Sequence, residues 1–140
     1  MYKRIMIIDD TDVDRYIAER VIRKSNFSEN IISFEGVQES LDYLSTKSGT
    51  PEELPDLIFL DIRMPGYDGF DFLEMFEKLP ETVKRKMIIV MLSSSLNQED
   101  HDKALNNKYV KQFINKPLNQ EGLNLITGKD NFMQSETPAP

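Results

Sequence analysis

Residues 4–24 read RIMIIDDTDVDRYIAERVIRK, and this stretch decides the fold. Ile5, Met6, Ile7 and Ile8 form an unbroken apolar run. A strand wetted on one face alternates apolar with polar; a continuous run suits a strand covered on both faces. After the acidic pair Asp9-Asp10 the period changes. Val13, Ile17 and Val21 recur at i, i+4 and i+8, with Arg15, Glu19, Arg20 and Arg23 on other faces. That spacing predicts a helix over 13–24 with those three residues on its apolar stripe.

The same strand-then-helix unit recurs along the rest of the chain. Short runs rich in Ile, Val and Phe fall at 31–34, 57–60, 87–92 and 110–114. Val37, Leu41 and Leu44 mark a helix over 37–46; Phe70, Leu73, Phe76 and Leu79 mark a third, ended by Pro80. Residues 98–107 are polar but carry Ala104 and Leu105. Residues 119–126 offer Leu123 and Ile126, with Gly122 inside and Gly128 just after. Five alternations of strand and helix predict a doubly wound α/β fold, (βα)5, with one parallel sheet and right-handed crossovers. Residues 45–55 read as a polar loop. The pattern fills one domain over 3–126, and residues 127–140 read as a disordered tail.

Composition narrows the function. Among 140 residues, 17 Lys and Arg stand against 24 Asp and Glu, a formal charge of −7. With no basic run, this argues against nucleic acid as a direct partner, because phosphate contacts dominate such affinity. The absence of cysteine excludes a disulfide scaffold, a Cys-ligated zinc or iron–sulfur site and a thiol nucleophile. The longest apolar runs are too short for membrane insertion. Only four apolar residues follow Lys3-Arg4, too few for a signal-peptide core, so the expected location is cytoplasmic.

In sheets of this kind ligands bind at the carboxyl ends of strands. The ends here carry Asp9-Asp10, Asp61, Ser93 and Lys116-Pro117. Crowded carboxylates repel and hold their protons unless a cation joins them. Mg2+, which takes one or two carboxylates, waters and a phosphate oxygen, is the matching ion. With Mg2+ on Asp9 and Asp10, a carboxylate oxygen of Asp61 is free to accept a phosphoryl group, while Lys116 and Ser93 meet the phosphoryl oxygens. Each residue also has an ordinary reading: Asp9 or Asp10, like Asp12, as a helix cap, Asp61 as a turn residue before Met64-Pro65-Gly66, Ser93 as a cap, Lys116 as a solvated lysine. Their joint occurrence at successive strand ends is what carries the functional reading.

Rival motifs fit less well. Asp10-Thr11-Asp12-Val13-Asp14 opens like a calcium loop, but Arg15 and Val21 stand where that loop needs Gly and Glu. Asp10-x-Asp12 is similar to the haloacid-dehalogenase phosphatase motif, from which Asp14 departs. No Gly-rich phosphate loop ending in Gly-Lys-Ser/Thr is present. His101, the single histidine, lies in the polar stretch NQEDHDKA and reads as a surface residue.

Asp9-Asp10, Asp61, Met64-Pro65-Gly66 with Gly69, Ser93 and Lys116-Pro117, in this order, resemble the receiver domain of two-component response regulators. The resemblance implies a flavodoxin-like, CheY-like sheet in the order 2-1-3-4-5. It implies Asp61 as phosphoacceptor, supplied by a sensor histidine kinase or a histidine phosphotransfer protein. Asp9, Asp10, Asp61 and the backbone carbonyl of Arg63 would hold Mg2+, and Lys116 would pair with the acyl phosphate. Ser93 and Phe113 would take the hydroxyl and aromatic switch positions. Such a chain is a signalling receiver that catalyses its own phosphorylation and dephosphorylation, not an enzyme acting on an outside substrate. Ser93 stands where Thr is commoner, and Phe113 lacks the hydroxyl of a Tyr. The short, Gly-interrupted last helix points to a monomer or weak dimer. The resemblance is closest to stand-alone members, whose output is contact with a target protein; the alternative use is a relay intermediate or phosphate sink.

Overall fold

The structure, a computed structural model, describes residues 2–128. The elements run β1 (Ile5–Ile8), α1 (Asp12–Lys24), β2 (Ile31–Phe34), α2 (Val37–Thr46), β3 (Leu57–Leu60), α3 (Gly69–Glu77), α4 (Glu81–Lys84), β4 (Ile88–Ser93), α5 (Gln98–Leu105), β5 (Val110–Asn115) and α6 (Gln120–Thr127). The five strands form one parallel sheet in the order β2-β1-β3-β4-β5.

The unbroken apolar strands are explained by two cores, one on each face. Met6, Ile8, Ile58, Leu60, Ile89 and Met91 point to one side, where Leu41, Leu44, Phe72, Phe76, Val83 and Ala104 of α2 to α5 cover them. Ile5, Ile7, Leu57, Phe59, Val90 and Leu92 point to the other, against Ala18 and Ile22 of α1 and Leu123 and Ile126 of α6. Successive strand residues alternate sides, so one run must be apolar throughout to serve both cores. The chain turns from β1 outward to β2, then back past β1 to β3. The carboxyl ends of β1 and β3 therefore flank the point where strand order reverses, which is where such sheets form their crevice.

Several local expectations need correction. The buried stripe of α1 is Ala18 and Ile22, with Ile17 and Val21 half-buried, while Val13 is 63% exposed. The helix is thus rotated from the stripe read off the apolar residues. Helix α3 stops at Glu77, short of the expected Leu79, and Pro80 instead opens the single turn α4, which buries Val83. The loop expected over 45–55 contains the end of α2 and two 3-10 turns, Lys47–Gly49 and Pro51–Glu53. Helix α5 stops at Leu105, two residues short of the expected end. Helix α6 includes Thr127, expected in the tail, and Gly128 follows it in the left-handed region at φ 79°. The rest of the expected disordered tail, residues 129–140, lies outside the described residues. Among the described residues no helix is long and apolar enough to cross a membrane.

Candidate functional site

The parallel ladder delivers the acidic residues to one place. The Asp9 N–H donates to the Phe34 carbonyl (3.0 Å), and the Asp61 N–H to the Ile8 carbonyl (3.0 Å). Each extends its strand by one residue, so both carboxylates stand side by side past the sheet edge. The Ile62 N–H donates to Asp61 Oδ1 at 2.8 Å and the Thr11 N–H to Asp9 Oδ1 at 2.9 Å, fixing both side chains. Asp9, Asp10 and Asp61 each offer one oxygen, all within 4.8 Å of one another. Asp9 and Asp61 are buried, at 2% and 6% exposure, and Asp10 is half-buried.

Lys116 arrives from the end of β5. Its N–H donates to the Ser93 carbonyl at 2.9 Å, and a cis bond joins it to Pro117. Its Nζ lies 2.7 Å from Asp9 Oδ2, 2.8 Å from Asp14 Oδ2 and 3.3 Å from Asp61 Oδ2. Asp14 is the partner that sequence reasoning missed. It explains the rotation of α1: Asp14, Ala18 and Ile22 form the inward i, i+4, i+8 stripe, with a carboxylate as its first member.

Gly69 opens α3 against the same loop. A Cβ there would lie 2.4 Å from the Asp61 carbonyl oxygen, and the Gly69 N–H donates to the Ile62 carbonyl at 2.9 Å. Only glycine allows this close approach. Asp68 and Asp71 cap the helix reciprocally, each side chain accepting from the other's N–H.

The charges do not balance. Asp9, Asp14 and Asp61 converge on the ammonium of Lys116, and Asp10 adds a fourth carboxylate within 4.8 Å of Asp9 and Asp61. Burial, then the Asp9 charge, push the Asp61 carboxyl from 3.8 up to about 6, against the pull of Lys116. Burial alone would lower the Lys116 ammonium. Its hydrogen bonds to Asp14 and Asp9 and the Asp61 and Asp9 charges outweigh that and raise it above its ordinary value. A cluster of oxygen donors with negative charge to spare fits a hard divalent cation, with Asp9, Asp10 and Asp61 as its protein ligands.

The ordinary readings are set aside at four positions. Asn97, not Ser93, caps α5, accepting from the Glu99 N–H at 2.8 Å. Lys116 is not solvated; its side chain is 10% exposed. Thr11 stands at the start of α1, so Asp9 and Asp10 lie before the cap position. Ser93 is fully buried, and its Oγ accepts from the Ser95 N–H at 3.2 Å. Arg63 follows Asp61 by two residues, and its side chain reaches away to Asp100. Phe113 is buried, and its ring packs on His101, with centroids 4.7 Å apart. The expectation of a surface histidine is therefore corrected. The His101 ring is turned toward β5, and its Nδ1 is shielded with no hydrogen-bond partner.

A buried carboxylate beside a lysine, two further carboxylates and a hydroxyl can hold a metal ion and a small anion together. Comparison with known proteins identifies the family. The family model described as response regulator receiver domain matches residues 5–127. A two-component response regulator structure from Cytophaga hutchinsonii superposes with a TM-score of 0.83 at 29% identity, over 91% of this chain and 96% of that one. The probable methanogenesis regulatory protein FilR2 of Methanothrix harundinacea is 27% identical over 119 residues, 85% of this chain and 75% of FilR2. The two-component response regulator ORR1 of Oryza sativa is 26% identical over 82% of this chain, which spans about half (49%) of ORR1. Sheet order, strand-end cluster and a family match over nearly the whole length converge: the chain belongs to the response regulator receiver domains of two-component signalling.

Proposed function

We propose that Asp61 accepts a phosphoryl group, with Mg2+, from a phosphohistidine on a sensor histidine kinase or phosphotransfer protein, and that the chain then signals by contact with a target protein. The observation that supports this is the placement of buried Asp61 between Lys116 and the Asp9-Asp10 pair. In the transfer, Asp61 Oδ2 forms the new bond to phosphorus as the histidine N–P bond breaks. The electron pair of that bond stays on the imidazole. Asp61 must be ionised to attack, and with its carboxyl near 6 it is so at neutral pH. Asp61 Oδ1 stays held by the Ile62 N–H, which orients the other oxygen outward. Lys116, already 3.3 Å from Oδ2, neutralises charge on the phosphoryl oxygens, and Ser93 Oγ donates to one of them. Bound Mg2+ would supply further neutralisation and align the phosphoryl group between the two acidic loops.

The output follows from charge. The phosphoryl group adds negative charge beside a buried hydroxyl and a buried ring, Ser93 and Phe113, and biases the surface formed by α5, β5 and α6. The test is covalent labelling by acetyl phosphate, read by intact mass. Label should appear only with Mg2+ and vanish in Asp61→Ala and Asp61→Asn. Label that persists in those variants would sink the assignment.

A further inference from the structure

Helix α5 is tied to the site by a polar bridge built from residues outside the strand-end cluster. Asp100, in its first turn, is 8% exposed. Its Oδ2 accepts from Arg63 Nη2 at 2.5 Å and from Ser95 Oγ at 2.9 Å. Ser95 in turn donates its N–H to Ser93 Oγ at 3.2 Å. Arg63 stands two residues after Asp61, and Ser95 two after Ser93. One carboxylate therefore gathers side chains from both loops that carry the candidate phosphoacceptor and hydroxyl.

The two ends of the bridge differ in freedom. The Asp100 side chain is 12% exposed, that of Arg63 65%. The carboxylate is fixed in packed surroundings, whereas the guanidinium sits in water on a flexible stem. Two residues of chain span at most about 7 Å, so the same guanidinium is within a short swing of Asp61. A phosphoryl group carries more charge than a carboxylate and suits the planar fork of Arg better.

We infer that Asp100 withholds Arg63 from the site, and that Arg63 exchanges Asp100 for the phosphoryl oxygens once Asp61 is modified. The exchange leaves Asp100 buried with the Ser95 hydroxyl and no cation, which loosens the first turn of α5. Asp100 is thus a positioning residue that couples the site to α5. This rests on Asp61 as the phosphoryl site.

The test is a double-substitution cycle on the full chain, with Mg2+ and beryllofluoride, which adds to a carboxylate oxygen as a phosphoryl stand-in. Affinity is read by fluorine NMR for the unsubstituted protein, Asp100→Asn, Arg63→Gln and the double variant. Asp100→Asn frees Arg63 and should tighten binding about tenfold, the worth of a charge-assisted hydrogen bond. In the Arg63→Gln background the same change should alter affinity less than about twofold. Equal tightening in both backgrounds would show that Asp100 acts through its own charge, and no tightening in either would show no competition; each overturns the inference. Amide exchange in the unsubstituted protein gives a readout independent of folding in the variants. Beryllofluoride should speed exchange in the first turn of α5, and unchanged or slower exchange there overturns the coupling. If the unsubstituted protein neither binds beryllofluoride nor takes label from acetyl phosphate, the proposed function fails and this inference with it.

Discussion

Asp61→Asn should make the metal-free protein more stable, and only above mildly acidic pH. The Asp61 carboxyl moves from 3.8 to about 6 in the folded chain, first through burial and then through the Asp9 charge. A carboxyl raised in the folded state keeps its proton there while the unfolded chain has lost it. Between about pH 4 and 6 the native state therefore binds more protons than the unfolded state, and stability falls as pH rises. The contribution is fully present below 3.8 and fully lost above about 6. Roughly two units at about 1.36 kcal/mol each give a cost of about 3 kcal/mol at pH 8. Asn matches the shape of the neutral carboxyl, and its oxygen can still accept from the Ile62 N–H. The assay is urea unfolding in EDTA at pH 4 and pH 8. At pH 8 the variant should be more stable by about 3 kcal/mol, a midpoint shift of about 1 to 2 M. At pH 4 the gap should shrink below about 1 kcal/mol. Equal stability at pH 8, or a gap that stays constant down to pH 4, would refute the account of the buried charge.

Mg2+ should act on the same deficit of positive charge. At a hundred times its Kd it should stabilise the protein by about 2.7 kcal/mol in calorimetry, and Asp10→Asn should abolish most of that gain. Lys116→Met leaves Asp9 and Asp61 buried without their cation; urea unfolding should show a loss of about 3 to 5 kcal/mol, partly restored by Mg2+. Gly69→Ala places a Cβ 2.4 Å from the Asp61 carbonyl oxygen; it should cost about 1 to 3 kcal/mol and slow acetyl phosphate labelling, since relief of the clash moves the Asp61 loop.

The sheet was legible because its three central strands, β1, β3 and β4, are apolar on both faces. Such runs leave no ambiguity of period, and their bounds shift by no more than a residue between reading and structure, as for β4 at Ile88–Ser93. Asp9, Asp10, Asp61, Ser93 and Lys116 were legible because a parallel α/β sheet brings strand ends together whatever its loops do. What stayed hidden is polar and inward. Asp14, Asp100 and His101 lie on helices where hydrophobic periodicity searches for apolar residues, and it discards the side chains that turn toward the site. In α1 the apolar spacing favours Val13 over Asp14 and so predicts a rotated helix. In α5 the polar string around Asp100 and His101 reads as solvent-facing, although one pairs with Arg63 and the other stacks on Phe113. Helix α4 escaped notice because a single turn has no period to detect.

The contact between Lys116 and Asp14 bridges 102 positions of chain. Its consequence lies in the order of synthesis. A nascent chain that has emerged as far as β4 already holds Asp9, Asp10, Asp14 and Asp61, but not the ammonium that gathers them. These carboxylates then repel one another or hold their protons until the edge strand β5 pairs with β4 and carries Lys116 into place. The lysine is thus a clasp: the charge balance of the crevice arrives together with the closing of the sheet, so a chain truncated before β5 would be unstable.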